Sequence, residues 1–277
     1  MTANIPEIDI APLIDGSHAA KQSVVGEIEA ACADTGFFTI VGHGVDADLL
    51  DRTRQVAEAF FGAPETVKSV VLRPPEKISR GWNPPEDRSL AYTLGEETPP
   101  DLQEAWAMGP TNAGSGPYYT EGAGLTFFAS NRWPEVPGFR ETLETYYAAM
   151  TDLSHVLLRG FALALDLNED FFADKADRPC SVVRLVRYPA QTETPLPGQL
   201  RAGAHSDYGS FTFVKGDNLP GGLQVSDGSG GWRDVEAPEN GFVCNIGDTM
   251  QRWTGGRFRS TLHRVVNPPS DAPRQDR

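Results

Sequence analysis

Residues 5–10 (IPEIDI) alternate apolar and polar positions, which predicts a short strand ended by Pro12. Over residues 18–34 the apolar positions Val24, Val25, Ile28, Ala31 and Cys32 recur at helical spacing, and Gly36 follows as a stop. Residues 37–41 (FFTIV) form a compact strand run closed by Gly42-His43-Gly44. Asp46 is the expected cap of a second helix reaching Phe61, with Leu49, Leu50, Val56, Ala57 and Phe60 inward and Pro64 as its stop.

Between residues 73 and 137 the pattern breaks. Pro74, Pro75, Pro84, Pro85, Pro99, Pro100, Pro110 and Pro117 interrupt every candidate helix, leaving long ordered loops with short elements such as 102–108. Loops of that length usually shape a functional opening. Residues 137–167 carry the longest helical pattern: Phe139, Leu143, Tyr146, Met150, Leu153, Leu157, Phe161 and Ala164 make one face, suited to packing along a sheet.

After Pro179 the texture turns to β. Runs at 181–188, 211–214, 222–225, 231–235, 242–246 and 260–266 follow at short intervals, and Asp227-Gly228-Ser229-Gly230 reads as a hairpin turn. Short strands at this spacing predict a sandwich or barrel. The expected layout is a helical and loop region over 1–178 supporting a β-barrel over 179–277, the two forming one cooperative unit.

Composition narrows the partners. Over 277 residues the formal net charge is −14, so phosphate backbones and anionic lipid are repelled overall. The reading is no nucleic acid, no membrane, and a small-molecule substrate; an anionic one would need a local cation. Cys32, Cys180 and Cys244 are sparse and show no C-x-x-C, which argues against a disulfide framework or a zinc knuckle and for reduced thiols. With no basic, apolar leader and no long apolar run in view, the expected setting is the cytoplasm.

Candidate chemistry centres on His205-Ser206-Asp207 and His263, drawn from five histidines in all. In an extended segment residues i and i+2 project to one face, so His205 and Asp207 point together. A barrel brings the strand of His263, 58 residues on, alongside. Two imidazoles and one carboxylate with open positions opposite suit non-haem Fe(II); zinc is the nearest competitor. H-x-D alone is a weak signal.

Its context is stronger. IPEIDIAPL at the start, GFFTIVGHGV (36–45), FFGAPETVK (60–68), RGWNP (80–84), DLQEAW (101–106), RYP (187–189), HSDYGSFT (205–212), LPGGLQV (219–225) and NIGDTMQRWTGGRFRSTLHRVVNP (245–268) occur in order. In these motifs the chain resembles the isopenicillin N synthase-like branch of the Fe(II)/2-oxoglutarate-dependent dioxygenases. The resemblance implies a double-stranded β-helix (jelly-roll) core with supporting helices. It also implies iron held by His205, Asp207 and His263, with O2 and 2-oxoglutarate as cosubstrates. Tyr188 matches the tyrosine whose hydroxyl helps hold the 2-oxoglutarate carboxylate.

The family's R-x-S arginine pairs with the distal carboxylate, a role to which a bidentate guanidinium is suited. Arg274 and Arg277 compete for it; Arg274 is followed by Gln275-Asp276, and Arg277 is favoured. The resemblance would place a serine and a phenylalanine-rich strand after Arg277, and many relatives carry asparagine where Val186 stands. The implied reaction is hydroxylation, desaturation or cyclisation of a small molecule, of the kind found in secondary metabolism, with release of succinate and CO2. Rival readings are an iron oxidase of the same fold that uses no 2-oxoglutarate, and a non-catalytic metal-sensing barrel. Substrate contacts are expected from Arg80, Trp82 and Asn83 in the loops and from Tyr208, Phe211 and Trp253 at the barrel mouth. His43 in G-H-G-V reads as a structural residue serving turn backbone.

Overall fold

The computed structural model of the chain describes residues 5–76, 78–85, 87, 89–91, 95, 98–272 and 276–277. The N-terminal elements fall where the apolar pattern sets them. Strand β1 (Glu7–Asp9) leads into the short α1 (Ala11–Asp15), then α2 (His18–Asp34) and β2 (Phe37–Val41). The Ser17 side chain accepts the Ala20 N–H and starts α2. Gly36 ends it at φ 69°, a conformation that favours glycine, and a Cβ there would lie 1.8 Å from the Arg259 carbonyl oxygen. Asp46 caps α3 (Ala47–Phe61) by accepting the Asp48 N–H. That helix closes at Gly62, so Pro64 is not its stop; Pro64 instead begins α4 (Glu65–Lys68).

The proline-rich stretch holds β3 (Gly81–Asn83), β4 (Glu104–Met108), α5 (Pro117–Thr120) and α6 (Gly124–Phe127), before the long α7 (Phe139–Ala164). The C-terminal part runs β5 (Val183–Arg187), β6 (Ala202–His205), β7 (Phe211–Val214), β8 (Leu223–Ser226), β9 (Trp232–Asp234), β10 (Phe242–Ile246), α8 (Asp248–Trp253) and β11 (His263–Val265).

Three sheets result. The first has the order β1-β2-β10-β7, parallel only between β1 and β2; the second has the order β6-β11-β8-β9 and is antiparallel; the third joins β3, β4 and β5. The period-two alternation of β2 and β10 divides the first sheet between two cores. Phe38, Ile40, Cys244 and Ile246 pack with Ile28 and Cys32 of α2 and Leu153, Leu157 and Phe161 of α7. On the opposite face Phe37 and Val243 pack with Val225 of the second sheet. Truncating a core ring such as Phe161 would cost about 3–5 kcal/mol. A third cluster, with Trp82, Trp106, Phe139 and Leu143, ties the small sheet to the start of α7. Among the described residues no helix is long and apolar enough to cross a membrane.

Candidate metal centre

Antiparallel pairing of β6 with β11 sets His205 directly opposite His263. Asp207 follows β6 by two residues, and its Oδ1 lies 3.9 Å from His205 Nε2 and 3.7 Å from His263 Nε2. One donor atom from each side chain lies within 4.8 Å of the others, and among the described residues no second group of this kind is found.

The remaining atoms of the three side chains are all engaged by protein. His205 Nδ1 meets the Gly203 carbonyl at 2.8 Å and His263 Nδ1 meets the Thr261 carbonyl at 3.1 Å. A carbonyl only accepts, so each Nδ1 carries a proton and each Nε2 is the ring nitrogen left to face the common point. Asp207 Oδ2 accepts from Thr212 Oγ1 at 2.5 Å and from Asn245 Nδ2 at 2.7 Å, leaving Oδ1 facing the imidazoles. Phe37 stands edge-on to the His263 ring, with centroids 5.4 Å apart. Three electron-rich atoms aimed at one point repel one another unless a cation lies between them. The donor set therefore fits a metal ion.

Electrostatics agree. Burial, with the neighbouring His263 second, lowers the His205 pKa to about 4, so its imidazole is neutral at physiological pH. Burial pushes the Asp207 carboxyl up, but His263, Asn245, Thr212 and His205 together hold it below the usual carboxylate range. Both groups thus sit in the protonation states that metal ligation requires.

A short turn ties the segments of the three candidate donors together. Asp248, at the start of α8, accepts from Ser206, between His205 and Asp207, and from Ser260, three residues before His263, while its N–H donates to the Asp207 carbonyl at 2.7 Å. Gly247 permits this approach: a Cβ there would meet the Gly209 carbonyl oxygen at 2.2 Å.

Tyr188 lies at the end of β5, and its backbone exchanges two hydrogen bonds with Arg277, at 2.7 and 3.0 Å. The Arg277 guanidinium turns toward the loop before β8. There Nε meets Asp217 Oδ1 at 2.6 Å, and Nη1 and Nη2 donate to the carbonyls of Gly221 and Asp217. Burial raises the Tyr188 pKa, against the pull of Arg184, Arg277 and Arg201.

Residues 5–136 match the family described as non-haem dioxygenase in morphine synthesis N-terminal, and residues 179–275 match the 2OG-Fe(II) oxygenase superfamily. The chain belongs to the 2-oxoglutarate-Fe(II) oxygenases. It is 36% identical to a homoarginine-6-hydroxylase of Oryza sativa subsp. japonica, covering 95% of this chain and 81% of that protein. It is 33% identical to the 2-oxoglutarate-Fe(II) type oxidoreductase hxnY of Emericella nidulans, covering 95% and 75%. The crystal structure of a full-length Neurospora crassa protein in complex with alpha-KG superposes with a TM-score of 0.84 at 26% identity, over 98% of this chain and 82% of that one. The chain is accordingly an oxidoreductase working with Fe(II) and 2-oxoglutarate.

As an oxygenase, it uses several of the expected substrate contacts for packing instead. Arg80 is 2% exposed, and its guanidinium donates to the carbonyls of Ser79, Phe127 and Ala129, which removes it from any substrate. Trp82 is buried, and its Nε1 donates to Glu104. Phe211 packs against Phe161 and Phe213 on the helix side of its sheet. Trp253 is exposed on one side and stacks on Phe172. Asn83 is half-buried, and Tyr208 is 65% exposed immediately after Asp207. Arg274 lies outside the described residues.

Other oxygenase residues went without a role in the sequence reading. Thr212, Asn245 and Asp248 lie inside the quoted motifs, yet only Asn245 carried a signal, a polar residue in the apolar run FVCNI. Asp101 is a further one. It is buried beside β6, accepting from the N–H groups of Gly203 and Leu90 and from Gln103. His43 is the structural residue expected: Nδ1 accepts the Val45 N–H and Nε2 donates to the Asn240 carbonyl.

Proposed function

We propose that Fe(II) is held by His205 Nε2, Asp207 Oδ1 and His263 Nε2, and that Tyr188 and Arg277 hold the distal carboxylate of 2-oxoglutarate. A small molecule is then hydroxylated, desaturated or cyclised with release of succinate and CO2. The carrying observation is the division of labour within the ligand set: every atom not aimed at the common point has a protein partner. When bound, Fe(II) with O2 supplies the oxidative decarboxylation of 2-oxoglutarate that drives oxidation of the substrate.

The chain's own residues orient and exclude. Asn245 and Thr212 fix which Asp207 oxygen faces the ion, and the carbonyls of Gly203 and Thr261 fix the imidazole tautomers. Arg277 exchanges its Asp217 partner for the cosubstrate carboxylate. Tyr208 and Asn83 are the substrate contacts kept by their exposure, with no role for nucleic acid or membrane.

The order β6-β11-β8-β9 facing β10 and β7 supports a double-stranded β-helix as the finer architecture. We take 1–178 and 179–277 as one cooperative unit, since α2 and α7 share a core with β10. Three free thiols support a reducing, cytoplasmic setting.

Anaerobic addition of Fe(II) and then 2-oxoglutarate, followed by the weak visible charge-transfer band, tests this reading. The band is expected in the natural protein and absent in His205→Ala and His263→Ala; a band unchanged in either variant removes the ligand assignment. Arg277→Ala is expected to keep iron and weaken 2-oxoglutarate binding, and unchanged affinity removes Arg277 from the site.

A further inference from the structure

We infer that Arg201 is a second guanidinium for the distal carboxylate of the cosubstrate, and the residue that selects a dicarboxylate over a monocarboxylate 2-oxo acid. This rests on the reading that the site takes 2-oxoglutarate. Arg201 immediately precedes β6, four residues before His205. Its side chain is buried, at 3% exposure, and the guanidinium carbon lies 5.6 Å from the centre of the Tyr188 ring. Nη1 donates to the carbonyls of Pro220 and Gly221 at 3.2 and 3.1 Å, while Nε is buried with no partner.

The Gly221 carbonyl also accepts from Arg277 Nη1, at 2.5 Å. Two guanidinium groups therefore share one acceptor. Burial, with Arg277 next, lowers the Arg201 pKa. Among the described residues, one carboxylate touches this pair of guanidinium groups. Asp217 is the carboxylate in contact, and Arg277 already engages it. Asp101, another carboxylate in the field of Tyr188, is engaged by Leu90, Gly203 and Gln103.

A buried cation with an unsatisfied donor is costly unless an anion completes it. The guanidinium nitrogens of Arg277 all have acceptors, whereas Arg201 keeps a donor free beside the tyrosine. A carboxylate on the far end of a 2-oxo acid would supply both the acceptor and the missing negative charge.

The test compares two ligands of one chain length, 2-oxoglutarate and 2-oxopentanoate, which lacks the distal carboxylate. Both are titrated anaerobically into the Fe(II)-loaded full chain. The natural protein is expected to prefer 2-oxoglutarate. Arg201→Met should weaken 2-oxoglutarate by at least about tenfold, the loss of a charge-assisted hydrogen bond, and leave 2-oxopentanoate and iron affinity unchanged. Arg201→Gln keeps a donor for Pro220 and Gly221 and reads the same ratio should the Met variant not fold. A variant that retains the natural preference, or weakens both ligands equally, overturns the role of Arg201. If the natural protein binds neither 2-oxo acid, the cosubstrate reading falls with it.

Discussion

His205 and His263 are register partners across adjacent antiparallel strands, with ring centroids 4.4 Å apart. Their relative placement is therefore held by the β6–β11 ladder itself, while the Asp207 carboxylate, just past the strand end, is oriented by side-chain partners. Of the three candidate donors, Asp207 is the adjustable one.

That asymmetry makes Asn245 a sensitive position. Asn245→Ala removes one of two donors to Asp207 Oδ2 and frees the carboxylate to rotate. Fe(II) affinity is expected to fall about 10–100-fold, the usual cost of losing a partner that orients a ligand. Titration of Fe(II) into the chelator-treated protein checks it; an unchanged affinity would show that Thr212 alone suffices.

Glu104 is 1% exposed and accepts from Lys68 Nζ, Trp82 Nε1 and Arg187 Nη1, at 2.9, 2.8 and 2.8 Å. Glu104→Ala leaves the buried Lys68 without its carboxylate and removes one of the two carboxylates on half-buried Arg187, which keeps Asp276. Stability should drop by about 3–5 kcal/mol in urea unfolding. Arg187 adjoins Tyr188, so 2-oxoglutarate affinity should fall too, with iron binding retained. A loss below about 1 kcal/mol would mean that water replaces the carboxylate.

For Asp101 the expected loss is both structural and functional. Asp101→Ala leaves the N–H groups of Leu90 and Gly203 without their acceptor and releases the loop from β6. A stability loss of about 1–3 kcal/mol is expected, with a rise in KM for substrate larger than any change in 2-oxoglutarate affinity. Equal changes in both would relocate its influence to the metal.

Stability should also depend on pH through His43. Burial first, and then Lys215, lowers its pKa from 6.5, despite the bond to Asn240. The unfolded chain then binds the extra proton first as pH falls. The His43 contribution is complete above about pH 6.5 and is lost progressively toward the lower folded value. Urea midpoints measured from pH 7.5 to 5 should decline, less steeply in His43→Gln; parallel curves would dismiss His43 as a source.

Local signals carried the N-terminal elements well. The end of α2 and the start of β2 were legible because Gly36 marks them chemically, and the strands 211–214 and 242–246 because β-branched and aromatic runs are bounded by turns. The candidate donors His205, Asp207 and His263 were legible as residue types in ordered motifs, and the structure brings them together. Their register was not, since nothing in the intervening chain states that β6 and β11 pair. Arg80 and Trp82 misled for a related reason. In a proline-rich segment they look like exposed recognition residues, but the carbonyls of Phe127 and Ala129 and the carboxylate of Glu104 draw them inward over distances that no local pattern records. Helix α8, six residues long, was too short for periodicity to reveal.

Each imidazole is tethered through Nδ1 to a carbonyl two residues earlier in its own segment. Both rings are thus already turned the right way before any ion arrives, and an arriving ion meets little reorganisation. Such a ready-made cup discriminates weakly among divalent transition ions, which would load in the Irving–Williams order if offered equally. Fidelity for iron then belongs to the cell's supply of metals, and chain produced in a nickel- or copper-rich medium is expected to emerge loaded with the wrong ion and catalytically silent.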